Sequence, residues 1–256
     1  LEILEKDQFK LTNAYLGIAL LYGGKKEVIP VVQDAARLEY ELTGAIVRLT
    51  SLEKKGVGWF SGSAGGAAPV PGGSALRQEL GRYYDVRELG PEDLREIPAE
   101  TRTLIVEGPQ DLSEEARFGL DQFLMGGGKA VFLVDHFSMP AGAISPEPME
   151  SGVHDLLEHY GVLLSRDIVV EPYYNATASF TSGFMSFRLP YPYWPRLPRD
   201  LLDGEHPVTS GLETVTFPWT SSLEVLAGEE SGIAATVLVS SSSQSWTESG
   251  SYNFSP

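Results

Sequence analysis

The stretch from Thr103 to His136 restricts the fold of this chain more than any other. Leu104–Val106 is a short apolar run closed by Gly108 and Pro109, as expected of a buried strand that stops at a turn. Ser113 then precedes Glu114, Glu115 and Ala116. Its hydroxyl suits an N-cap, and the two acids suit the positive end of a helix dipole. Phe118, Leu120, Phe123 and Leu124 recur at helical spacing, and Gly126, Gly127 and Gly128 tolerate the positive φ of a C-cap. Ala130–Val134 is a second apolar run. Strand, helix and strand within about 30 residues make a βαβ unit, whose crossover is right-handed in nearly every known case.

The same alternation extends upstream. Leu16–Leu21 reads as a strand, Gly23-Gly24-Lys25-Lys26 as its turn, and Glu27–Pro30 as the return. A helix is expected over Val31–Leu52, where Ala35, Leu38, Leu42, Ala45, Ile46, Leu49 and Leu52 keep to one face. Val57–Phe60 is the next strand. It runs into the glycine-rich Ser61–Ser74, between a strand and a helix beginning near Ala75, where a phosphate can meet free amides. That loop lacks the Gly-Lys-Ser/Thr ending of a P-loop and the spacing of a dinucleotide fingerprint, so it reads as a surface loop. Leu76, Leu80 and Tyr83 give the helix a buried side, Tyr84–Leu89 a further strand, and Pro91–Pro98 a short acidic helical connection. The pattern is that of an α/β protein with a mostly parallel sheet flanked by helices.

After Pro140–Pro148, a loop, Val153–Tyr160 is expected to be helical and Val162–Leu164 and Ile168–Glu171 extended. The character then changes. Pro172–Pro198 carries Tyr173, Tyr174, Phe180, Phe184, Phe187, Tyr191, Tyr193 and Trp194 among prolines, which suits short strands and irregular turns. Val215–Trp219, Ser222–Leu226 and Ala234–Ser240 read as further strands. Two regions follow: residues 1–171 as the α/β sheet domain, and 172–256 as a β-rich extension packed on the same core.

A net charge of −16 over 256 residues argues against binding a nucleic-acid backbone, which demands clustered Lys and Arg. The chain has no cysteine, which excludes disulfides, thiolate metal sites and a cysteine nucleophile. Its longest apolar run, Ala14–Tyr22, is about half the length that crosses a bilayer. Leu1 is not a natural start and the tail after Ser249 has no closing element, so the sequence reads as a fragment of a longer protein.

Several phrases together resemble one family. They are Tyr22–Pro30, Leu38–Leu42 with Ile46, the Pro109–Gly128 helix with its glycine run, His206–Gly211 and Leu238–Trp246. The chain is similar in these to the auxiliary component of an uncharacterised ABC-type transport system linked to gliding motility. The resemblance implies a flavodoxin-like sheet of the class I glutamine amidotransferase kind. It also implies an extracytoplasmic, periplasmic location, with anchoring transmembrane helices outside this segment, and an ABC permease and ATPase as partners. No cofactor is implied, and no catalytic activity is established for the family.

Amidotransferase chemistry needs a cysteine nucleophile and is impossible here. A serine substitute lacks its elbow, because Gly-x-Ser-x-Gly is absent and Ser61-Gly-Ser63-Ala-Gly65 begins with the wrong residue. Asp135 and His136 follow the Ala130 strand, where open α/β sheets place ligands, and Glu107 ends the neighbouring strand. These three are the weak catalytic candidates for a hydrolase or transferase. His154 and His159 stand about 140° apart on a helix and do not converge on a metal. His206 before Pro207 suits turn geometry, so no metal is expected. Tyr173, Tyr174, Tyr193 and Trp194 are the binding candidates, since exposed aromatic rings suit sugar or peptide partners. The expected role is a non-enzymatic accessory or scaffold module, working through protein contacts or by capturing a small molecule or sugar.

Overall fold

The computed structural model describes residues 2–5, 8–11, 17–32, 35–51, 54–62, 73–138, 146–150, 152–182, 185–226, 232–250, 252 and 254. Most of the glycine-rich loop, residues 63–72, lies outside them, as do 139–145. They group into two compact units, one of residues 1–57 and 70–87, the other of 58–69 and 88–256.

In the first unit, β1 (Glu2–Glu5) pairs antiparallel with β2 (Gln8–Leu11), and β3 (Ile18–Tyr22) with β4 (Lys25–Ile29). Gly23 and Gly24 both take positive φ, which is what a two-residue hairpin turn with the native strand twist requires. Helix α1 (Ala35–Thr50) buries Ala45 and Leu49, whereas Ile46, expected on that face, is exposed. Helix α2 (Gly73–Tyr83) meets α1 where Gly44 leaves room for the Tyr83 ring. Arg48 stacks on that ring and pairs with Glu27 at 3.1 Å.

The next part of the chain is organised by a four-stranded sheet. Its strands β5 (Gly56–Ser61), β6 (Asp85–Leu89), β7 (Thr101–Glu107) and β8 (Lys129–Leu133) lie in the order β6-β5-β7-β8. The β7 and β8 strands run parallel, with α3 (Glu114–Met125) between them in sequence, so the βαβ expectation holds. The Ser113 hydroxyl accepts from the Ala116 amide, capping the helix, and Gly127 takes a φ of 84° beyond its end. Phe60, Leu104, Val106, Leu112, Ala116, Leu120 and Val153 pack into the core. Phe118 does not join them: it is 64% exposed, because the buried stripe of α3 runs through Ala116, Gly119 and Leu120 instead. Gly119 is required there, since a methyl group would strike the Leu94 carbonyl. Pro91–Pro98 forms turns rather than the helix its acids suggested.

Beyond the sheet, β9 (Phe137–Ser138) pairs with β10 (Glu147–Pro148), and α4 (His154–His159) follows. The β11 (Val162–Leu164) and β12 (Ile168–Val170) strands precede a long hairpin of β13 (Asn175–Ser182) and β14 (Met185–Pro198). Short, irregular pieces were expected there. Pro192 falls in the register shift at Asn175/Ala176, whereas Pro190 and Pro195 sit opposite Thr177 and Asn175, so the strand continues through them. A 3₁₀ turn at Arg199–Leu201 leads on to β15 (Thr214–Thr216), which pairs with the end of β14. Finally β16 (Leu223–Val225) returns to β11, and β17 (Trp246–Glu248) to β12, both antiparallel. The apolar stretch at 234–240 makes only a single bridge, Leu202 to Val239. Among the described residues no helix is long and apolar enough to cross a membrane.

Candidate functional site

The parallel strands deliver their carboxyl ends to one edge, where Glu107 closes β7 and Val134-Asp135-His136 follow β8. Backbone hydrogen bonds from Gly62 to the Glu107 carbonyl and from Gly108 to the Leu133 carbonyl, both 2.9 Å, knit these ends together. Gly62 has no alternative here, since a Cβ would run into the Gly108 carbonyl and Pro109.

All three polar side chains at this edge are committed to separate partners. The Glu107 carboxylate is buried and accepts from the Trp59 indole N–H at 3.0 Å. One oxygen of Asp135 accepts from the Ser221 hydroxyl at 2.8 Å, the Ser221 amide at 3.2 Å and the His136 amide at 2.7 Å. Burial pushes the Asp135 carboxyl above its ordinary value, and these hydrogen bonds offset only part of the rise. His136 is buried, with Nε2 3.1 Å from the Leu164 carbonyl oxygen and Nδ1 3.4 Å from that of Met149. Among the described residues no hydrogen bond joins the side chains of Glu107, Asp135 and His136. The strand ends therefore hold polar groups without linking them into a proton relay, which needs hydrogen-bond reach between acid and base. A cleft of about 160 Å³ beside Phe60, Gly62, Arg95 and Ser113 is not lined by any of the three.

The spacing of His154 and His159 pointed away from a metal, but His154 has a different neighbour. Its ring lies 3.9 Å from that of His136, tilted by 30°. Glu150 completes a group in which one ligand atom from each of His136, Glu150 and His154 lies within 4.8 Å of the others. Burial, reinforced by the adjacent His136, lowers the His154 pKa and so favours its neutral ring. Sequence reasoning missed this group because its members come from the residue before β9, the second residue after β10 and the first turn of α4.

The aromatic candidates divide. Tyr173 and Tyr174 are exposed, at 71% and 44%, and share no ring contact with the other two. Tyr193 and Trp194 pack edge-on against Tyr191, and Trp194 also against Trp219. The Tyr193 hydroxyl donates to Glu248 at 2.9 Å, and burial together with that bond pushes its pKa up to about 12. Nearby Glu171, which the sequence marked only as a strand end, is fully buried. It accepts from the amides of Tyr173, Tyr174 and Ser242 and from the Ser242 hydroxyl. Burial alone would raise its pKa, yet these donors outweigh it and hold the carboxyl below its ordinary value. In the first unit, a groove of about 610 Å³ between α1 and α2 is lined by Tyr40, Val47, Leu76, Glu79, Tyr83 and Tyr84, among others.

The family described as an ABC-type uncharacterized transport system, auxiliary component, matches residues 54–256. The chain belongs to this family. An uncharacterized protein of Borreliella burgdorferi is 28% identical to it over 250 residues, covering 96% of this chain and 49% of the relative. The chain therefore spans about half the length of the curated relative it matches. Among solved structures, the mmIFT52 N-terminal domain is similar over 75% of each chain, at 16% identity and a TM-score of 0.48. A likeness of that degree carries no inference about what this auxiliary component does.

Proposed function

We propose that this family member is a non-catalytic, extracytoplasmic accessory module of an ABC-type transport system of the kind linked to gliding motility. It acts by contact with the permease and ATPase subunits, on a sheet of the amidotransferase and flavodoxin-like type. In this reading it lies on the periplasmic face of the bacterial inner membrane, held by transmembrane segments of the longer protein. The carrying observation is the family match over residues 54–256. The engagement of Glu107 with Trp59 and of Asp135 with Ser221 supports the non-catalytic half, since one oxygen of each carboxylate is tied to a structural partner.

The test is recovery of tagged full-length protein from detergent-solubilised membranes, with its companions identified by mass spectrometry. Permease and ATPase subunits are expected to co-elute. Recovery without either one would remove the transport reading.

Ligand capture is a second reading, favoured by the groove between α1 and α2. Its volume of about 610 Å³ falls in the range of small-molecule sites, and its tyrosines suit a sugar face. Saturation-transfer NMR with simple sugars checks it, and Tyr40→Ala should abolish any transfer. Signals of equal strength in that variant would rule the groove out.

A further inference from the structure

We infer that His136, Glu150 and His154 form a binding site for one divalent transition-metal ion with the ligand preference of zinc. The ion is held by one nitrogen from each imidazole and a carboxylate oxygen. This inference does not depend on the transport reading. The three ligand atoms already lie within 4.8 Å of one another, and an ion at about 2.0–2.2 Å from each is reached when the two rings, now 3.9 Å apart and tilted by 30°, swing open so that both ring planes meet it. Two imidazoles and a carboxylate suit zinc and its transition-metal neighbours, whereas magnesium and calcium prefer oxygen alone. With three protein ligands, a fourth position remains for water or an exogenous group.

The hydrogen bonding of the two rings supplies independent support. Both nitrogens of His136 face backbone carbonyl oxygens, and a neutral imidazole has only one N–H to give. The shorter contact, Nε2 to the Leu164 carbonyl at 3.1 Å, is where a donated proton belongs. In the tautomer that donates from Nε2, Nδ1 offers its lone pair, 3.4 Å from the Met149 carbonyl oxygen. A cation can take that lone pair. Metal-bound histidines commonly donate their other N–H to a backbone carbonyl, which fixes ring and tautomer as Leu164 does here. On the second ring, Nε2 of His154 is buried and has no hydrogen-bond partner among the described residues. Such atoms are rare in folded proteins unless a ligand, water or ion completes them.

Besides the ring stacking, an ion pair opposes the site. Glu150 pairs with Arg166 at 2.8 Å, so an ion must share that carboxylate or displace the guanidinium. This competition gives the test a direction that a merely structural cluster would lack.

The chain is stripped with EDTA, exchanged into metal-free buffer and titrated with zinc chloride by calorimetry. Cobalt chloride, followed by its visible absorption, serves as a second probe. One ion per chain is expected, with a rise in melting temperature on binding. Because His136 is buried, the decisive variants are elsewhere. His154→Ala should weaken binding by at least ~100-fold, more than the 10–100-fold typical of losing an outer-shell partner, with an unchanged circular dichroism spectrum. Glu150→Gln should weaken it, Arg166→Gln should tighten it several-fold, and His159→Ala should leave it unchanged. Absence of saturable uptake of either ion would overturn the inference. So would binding of wild-type strength in His154→Ala, or equal loss in His159→Ala.

Discussion

The indole N–H of Trp59 donates to the Glu107 carboxylate at 3.0 Å, and both side chains are buried. A carboxylate at the end of an inner strand is costly unless donors surround it, and this bond couples β5 to β7 through side chains. Trp59→Phe removes the donor and leaves the acid behind, at an expected cost of about 2–4 kcal/mol. Glu107→Gln keeps an acceptor for the indole and should cost about 1 kcal/mol. Urea unfolding at neutral pH measures both. A Glu107→Gln variant of unchanged stability that no longer recovers transport partners would show that Glu107 does more than brace the sheet.

Asp135 is a carboxyl whose pKa the fold shifts upward. Burial raises its pKa above the ordinary 3.8, so the folded protein holds this proton more tightly than the unfolded chain. Its stabilising contribution is fully present below that ordinary value and is lost as pH rises through the raised one. Relative to Asp135→Asn, which preserves an acceptor for Ser221, wild type should fare best in acid and lose ground as pH climbs. Unfolding free energies collected between acid and neutral pH will show a flat difference if burial does not govern this group.

Glu171 should behave inversely. Its donors hold the folded-state pKa below the ordinary 4.5, so its contribution is present above that value and disappears as pH falls through the lowered one. Glu171→Gln is expected to cost about 2–3 kcal/mol at neutral pH, because charge-assisted bonds from Ser242, Tyr173 and Tyr174 weaken together. The cost should shrink in acid. A pH-independent difference would mean that shape rather than charge matters at this position.

Two glycines in helices should respond with opposite signs to the same change. Alanine is the better helix former by about 1 kcal/mol. At Gly81 of α2 nothing lies within 4 Å of the added methyl, so Gly81→Ala should stabilise by up to that amount. At Gly119 of α3 the methyl meets the Leu94 carbonyl, and overpacking of about 1–3 kcal/mol outweighs the gain. Thermal melts of the two variants, compared with wild type, decide the matter.

Where the chain's signals are local, the sequence exposes the fold. Ser113 caps α3, Gly23 and Gly24 turn the β3–β4 hairpin, and Gly161, with positive φ, follows α4. Non-local pairing is hidden. Pro190, Pro192, Pro195 and Pro198 read as breaks, yet all lie within β14, because β13 supplies a partner that tolerates a shifted register. Trp246-Thr-Glu248 sits in a serine-rich tail with no strand pattern of its own and becomes extended only by pairing with β12. The candidate site divides the same way. Positions of Glu107, Asp135 and His136 at strand ends follow from the βαβ unit. Their partners do not, since Trp59 lies 48 residues from Glu107 and Ser221 86 from Asp135. His154 was weighed against His159 because one helix is all that spacing describes, and the ring it meets comes from another element.

The pairing of Val162 with Val225 and of Ile168 with Glu248 sets an order of events during synthesis. Both earlier strands leave the ribosome many tens of residues ahead of the segments that complete them. Through that delay their unpaired amides and carbonyls are open to any neighbouring polypeptide, a hazard that chaperones exist to limit. The later-translated β16 and β17 thus act as clasps, and the earlier strands are most vulnerable until these close.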